Sequence, residues 1–175
     1  MRYVLAALIA SLAIAPATAA DAPANLRIDL KNSAGASVGS ATLTEAANGV
    51  LAHIEVKGLP PGWHGLHFHE TGDCSKADFT SAGGHVHAMT TKVHGLLNPD
   101  INEAGDLPNL YVAADGTGKV ELLSTFVSLD GAGTRPALAD KDGSALVIHA
   151  NADDYKTQPI GNAGARIACG VVVGH

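Results

Sequence analysis

Val50-Leu51-Ala52-His53-Ile54-Glu55-Val56 decides the fold class of this chain. Val50, Ala52, Ile54 and Val56 are apolar and occupy every second position, with Leu51, His53, Glu55 and then Lys57 in between. Successive side chains of a strand point to opposite faces, so the stretch reads as a strand with one face in a core. Leu26-Arg27-Ile28-Asp29-Leu30-Lys31 repeats the alternation. Further strands are expected over residues 38–43, 63–69, 110–113, 119–126, 145–149 and 168–173. Turn signals separate them, among them Asn48-Gly49, Pro60-Pro61-Gly62, Asp115-Gly116-Thr117-Gly118 and Asp142-Gly143. About eight strands joined by short turns argue for an all-β sandwich or barrel.

Two stretches resist the pattern. Residues 72–109 and 150–166 are long, polar and rich in Gly, Asn, Asp and Pro. Loops of that length are uncommon in a compact domain unless they carry function.

Residues 1–20 have a different character. Arg2 precedes an apolar run over residues 4–15, Pro16 breaks it, and Ala17-Thr18-Ala19-Ala20 offers small residues for cleavage. The run is too short to span a bilayer, and the segment reads as a cleaved secretory signal rather than an anchor or a buried helix. Residues 21–175 then form one domain. The chain is acidic, with a formal charge of −6, and has no basic tract. That composition argues against nucleic acid and against a basic membrane-surface helix as partners. Only Cys74 and Cys169 are present. In an oxidising compartment two cysteines most simply pair, the alternative being two buried free thiols.

The nine histidines are not spread evenly. His64, His67, His69, His85, His87 and His94 lie on or around the first long loop, and His149 precedes the second. In His67-Phe68-His69 a strand would put both imidazoles on one face and Phe68 on the other. Imidazoles so placed suit copper, zinc, iron or nickel. His85-Val86-His87 has the same local pattern, and spacing does not say which of its two histidines is a ligand. His94 and Asp106 add a nitrogen and a carboxylate, a mixture ordinary for zinc. The residues alone therefore point to one or two metal sites fed by a strand and two loops.

Longer stretches then become recognisable. Gly65-Leu66-His67-Phe68-His69-Glu70-Thr71-Gly72-Asp73-Cys74 and Gly161-Asn162-Ala163-Gly164-Ala165-Arg166-Ile167-Ala168-Cys169-Gly170 resemble the two signatures of the copper–zinc superoxide dismutases, in their bacterial periplasmic branch. Ser81-Ala82-Gly83-Gly84-His85, His94-Gly95, Gly105-Asp106-Leu107-Pro108-Asn109 and Val147-Ile148-His149-Ala150-Asn151-Ala152-Asp153-Asp154 match in order between them.

The resemblance implies an eight-stranded Greek-key β-barrel in a periplasmic or otherwise secreted protein. It implies superoxide as substrate, and copper and zinc as cofactors. Copper falls to His67, His69, His85 and His149, and zinc to His85, His94 and Asp106. Arg166 is implied as the residue that attracts superoxide, and His85 as a proton carrier. Asp153 is implied as the carboxylate linking copper and zinc histidines, Cys74 and Cys169 as a disulfide, and His64 as a structural histidine. Relatives occur as dimers and as monomers, so a homodimer is one assembly it allows. A copper-buffering protein on the same fold is the alternative function, disfavoured by Arg166 in an intact signature. One position departs from the family: Glu103 stands where a third zinc histidine is usual. Three readings are open there: Glu103 ligates directly, the site lacks that ligand and holds zinc weakly or with water, or another group such as His87 substitutes.

Overall fold

A computed structural model describes residues 25–131 and 133–173; the leader expected over residues 1–20 lies outside them. Among the described residues the regular structure is nine strands and one 3-10 turn, Thr80–Ala82, and no helix is long and apolar enough to cross a membrane. The strands are β1 Asn25–Lys31, β2 Ser37–Ala46, β3 Gly49–Val56, β4 Gly62–His64, β5 Leu66–His69, β6 Leu110–Val112, β7 Gly118–Ser124, β8 Ser144–His149 and β9 Arg166–Val172.

Seven strands pair in the order β5-β8-β9-β1-β2-β3-β7, and β4 pairs with β6. The two sheets join at both ends. β4 runs directly into β5, and β6 turns back into β7 through a hydrogen bond from Ala113 N to Thr117 O. The result is a barrel in which the chain, rather than a continuous ladder, joins the two sheets. The chain passes from β3 across to β4, and from β7 across to β8, which are the long connections of a Greek key.

Alternation accounts for the inside of the barrel. Ile28, Leu30, Leu43, Val50, Ala52, Ile54 and Val56 are buried in one cluster. The outer face of β3 carries cross-strand polar pairs instead. His53 stands opposite Glu121 and Glu55 opposite Lys119, with His53 Nδ1 3.4 Å from Glu121 Oε2.

β5 and β8 differ from β3 in being buried on both faces. Leu66, Phe68, Leu146 and Ile148 point into the barrel core. On the other face Ala145, Val147 and Cys169 pack against Phe79 and Ala82 from the first long loop. That loop therefore covers the outside of the barrel at β5, β8 and β9. The Cys74–Cys169 disulfide, with Cα atoms 5.9 Å apart, fastens it to β9.

The structure corrects three expectations. The strand expected over residues 63–69 is two strands, interrupted at Gly65. Gly65 N donates to Asn151 O at 2.7 Å and Gly65 O accepts from His149 N at 2.9 Å, so the chain changes partners there from β6 to β8. The strand expected to run to Phe126 ends at Ser124. A third long connection, between β7 and β8, then follows. It is held by Leu129 N donating to Glu45 Oε2 at 2.6 Å and by buried Val127, Leu129 and Leu138.

The disulfide closes a span of 95 residues. Replacing both cysteines by serine is expected to lower unfolding free energy in urea by about 4–5 kcal/mol, the chain-entropy value for a loop of that length. A loss below about 1 kcal/mol would show that the loop is held by packing alone.

Candidate metal centre

β5 supplies the first two histidines. His67 stands opposite Val147 and His69 opposite Ala145, on the outer face that the long loop covers. Phe68 points the other way, fully buried in the core. The loop then pairs with β5 almost as a strand would. Phe68 N donates to Gly105 O at 2.8 Å, Val86 N donates to Phe68 O at 2.9 Å, and Gly105 N donates to Val86 O at 2.9 Å. These bonds set His85 opposite His69 and Asp106 opposite His67. A Cβ on Gly105 would lie 2.2 Å from Phe68 O, so only glycine allows the approach. β8 ends on His149, whose neighbour across the ladder is Arg166 at the start of β9.

Each of four imidazoles has one nitrogen engaged and one left over. His69 Nδ1 donates to Gly83 O at 2.9 Å and His149 Nδ1 to Gly164 O at 3.0 Å. His67 Nε2 meets Asp153 Oδ2 at 2.9 Å. His85 Nδ1 lies 2.9 Å from both Glu103 Oε2 and Asp106 Oδ1. The remaining atoms, His67 Nδ1 and the Nε2 atoms of His69, His85 and His149, are buried without any hydrogen-bond partner. One nitrogen from each ring lies within 4.8 Å of the other three. A buried polar atom left unpaired costs about 1–3 kcal/mol, so four converging on one point are an arrangement suited to a bound cation. Imidazoles alone, without thiolate or carboxylate, suit copper among the ions that favour nitrogen.

A second set lies behind His85. His94 Nδ1 is 3.0 Å from Asp106 Oδ1 and 3.2 Å from Glu103 Oε2. His67, His85, His94 and Asp106 also fall within 4.8 Å of one another. His67 is a poor choice for that set, because its Nε2 is paired with Asp153 and its Nδ1 joins the first. Glu103 Oε2 instead completes a group of two imidazole nitrogens and two carboxylates. The separations of the two imidazole nitrogens from Asp106 Oδ1 and Glu103 Oε2, 2.9 to 3.2 Å, approach the edge of about 3.3 Å of a tetrahedron at zinc bonding distances. His87 is directed elsewhere: its Nδ1 faces His85 O at 3.0 Å and Glu70 Oε2 at 3.3 Å. Of the three readings open at position 103, this geometry favours direct ligation by Glu103.

Asp153 joins the two sets. Its Oδ2 meets His67 and its Oδ1 meets His94 Nε2 at 3.1 Å, while Tyr155 N donates to Oδ1 at 2.6 Å. Asn109 clamps its backbone, accepting from Asp153 N and donating to Asp153 O, each at 2.9 Å. Gly161 makes the room: at φ +58°, a Cβ there would sit 1.7 Å from Asp153 Oδ1. His64 stays outside both sets, its ring nitrogens each 2.7 Å from a carbonyl, those of His149 and Pro60.

The electrostatics of the two sets are opposite. Burial, helped by the neighbouring imidazoles and then by the charge of Arg166, keeps His69 far below the usual imidazole range and pulls His149 down to about 3. Burial also outweighs Asp153 at His67, which falls to about 4. These three rings are neutral, as metal ligands must be. In the second set burial opposes the charged forms but loses to ion pairing. Asp106, Asp153 and Glu103 raise His94 to about 11, and Asp106 and Glu103 raise His85. Asp106 is held down at about 2 by His85 and His94, and Asp153 lies well below the carboxylate range through His67 and His94. The second set thus gathers positive charge around buried carboxylates, where a divalent cation would replace the protons.

Arg166 is half-buried beside the first set. Its Nη1 donates to Phe79 O at 2.5 Å and its Nη2 to Gly83 O at 2.6 Å, the same carbonyl that orients His69. The carbonyls of Gly83 and Gly164, the Asn109 clamp and the space at Gly161 were not singled out by the sequence reading. Backbone acceptors carry no residue signature, and only the surrounding signatures hinted at the glycines.

Asp153→Asn and Gly161→Ala are each expected to weaken metal retention about 10–100-fold, read by competition with a chelator. Retention equal to that of the unmodified chain in both variants would remove Asp153 from its orienting role.

Comparison with known proteins agrees with this geometry. The family model described as copper/zinc superoxide dismutase matches residues 37–172. The chain is 63% identical over 138 residues to a Cu-Zn superoxide dismutase of Caulobacter vibrioides, covering 79% of each. The crystal structure of a superoxide dismutase-like protein from Bacillus subtilis superposes with a TM-score of 0.79 at 42% identity, over 84% of this chain and 97% of that one. The Cu/Zn superoxide dismutase of Brucella abortus superposes with a TM-score of 0.68 at 28% identity, over 85% and 99%. With its barrel and both ligand sets in the order the signatures require, the chain belongs to the copper/zinc superoxide dismutase family.

Proposed function

We propose that the chain is a superoxide dismutase, turning two superoxide anions and two protons into O2 and H2O2. The observation that carries this reading is the set of four buried, unpaired imidazole nitrogens on His67, His69, His85 and His149. Copper held by those nitrogens supplies alternate one-electron oxidation and reduction of superoxide. Zinc would be held by His85 Nδ1, His94 Nδ1, Asp106 and Glu103.

The chain's own side chains do the rest. Superoxide is an anion and the protein is acidic overall, so attraction has to come from a local field. Arg166 supplies it, held beside the four-histidine set by the Phe79 and Gly83 carbonyls. His85 faces both sets, and its Nε2 is the atom placed to take up and release a proton on the copper side. Asp153 and the Gly83 and Gly164 carbonyls keep the other three rings fixed. The disulfide supports an oxidising compartment, and together with the leader read over residues 1–20 it supports a periplasmic or otherwise secreted location. A copper-buffering module would need the four nitrogens but would have no use for Arg166.

The copper-loaded protein is expected to consume superoxide. Arg166→Ala is expected to lower that rate about tenfold or more at low ionic strength while copper content stays unchanged. Copper binding without superoxide consumption in the unmodified chain would favour the buffering function. An unchanged rate in the variant would remove the steering role.

A further inference from the structure

The departure at position 103 changes the charge of the second site. A carboxylate in place of a neutral imidazole lowers the charge around a divalent ion by one unit. Here the donors are His85 Nδ1, His94 Nδ1, one carboxylate from Asp106 and another from Glu103, which makes the site one unit more negative than it would be with a histidine at position 103. Glu103 is placed for this and has little freedom to leave. It is 4% exposed, its Oε2 is 2.9 Å from His85 Nδ1 and 3.2 Å from His94 Nδ1, and its backbone pairs with that of His87. Asp106 is equally fixed, since its Oδ2 accepts from Gly95 N at 2.7 Å.

Carboxylate oxygens are hard donors. They raise the affinity of a site for ions such as Mn2+ relative to those that favour imidazole nitrogen. Replacing one of three nitrogens by a carboxylate oxygen, in a buried site, therefore narrows the preference for zinc. We propose that Glu103 makes the second site a centre of two imidazoles and two carboxylates that binds Mn2+ as well as zinc. Zinc remains the tighter ligand, as the general order of divalent affinities requires. The inference rests on reading His85, His94 and Asp106 as cation ligands, and not on the superoxide chemistry of the neighbouring set.

The full chain, dialysed free of metal, is titrated with Mn2+, and the free ion is followed by electron paramagnetic resonance. A single Mn2+ per chain is expected to bind, and zinc is expected to displace it. Glu103→His is expected to weaken Mn2+ binding about tenfold or more while zinc stays bound. Glu103→Gln keeps the shape of the side chain without its charge, and should also lose Mn2+, so a folding defect in the histidine variant does not decide the result. The proposal is overturned if the unmodified chain takes up zinc but no Mn2+, if both variants bind Mn2+ as it does, or if zinc fails to displace the ion. If zinc is not taken up either, the assignment of the ligands themselves has failed.

Discussion

A strand shows its two faces to alternate residues, and β5 uses both. Phe68 enters the barrel core while His67 and His69 stand on the outside. An outward histidine on an ordinary barrel strand would meet water, as His53 does on β3. Here the loop over residues 70–109 lies on that face, seals it with Phe79 and Ala82, and is fastened by Cys74–Cys169. The same loop carries His85, His94, Glu103 and Asp106. Burial of the outer face and assembly of the two side-chain sets are therefore one event, and the polar atoms so buried need partners.

Those partners are divided so that each ring is left with the nitrogen it needs. Carbonyls of Gly83 and Gly164 take the Nδ1 protons of His69 and His149. Asp153 takes Nε2 of His67, which is why that ring alone offers Nδ1. His85 faces both sets, with Nδ1 toward the carboxylates and Nε2 toward the other histidines. Fixing the second nitrogen of each ring sets tautomer and orientation before any metal arrives. Arg166 shares the Gly83 carbonyl with His69, so a positive charge and one ring of the four-histidine set are positioned by one backbone group.

Much of this could be read from the chain. Alternation in residues 26–31 and 50–56 predicted β1 and β3, because one face meets a core and the other meets water. The two long signatures carried His67, His69, Arg166 and the cysteine pair, and the shorter matches between them carried His85, His94 and His149. What stayed hidden depends on long-range backbone contacts. Gly65 breaks a strand only because Asn151 and His149 bond to it from the far side of the site. The connection between β7 and β8 is stabilised by Glu45, a residue on β2 with no local relation to it. Glu103 was visible as a departure, but three outcomes stayed open for it until its carboxylate was seen against His85 and His94.

The central claim is that the four unpaired nitrogens are a copper site. Crystals of the copper-loaded protein, measured at wavelengths on either side of the copper absorption edge, test it most directly. The account predicts one anomalous peak per chain within bonding distance of His67 Nδ1 and of Nε2 in His69, His85 and His149. A copper peak elsewhere, or none among these four nitrogens at full loading, would contradict it.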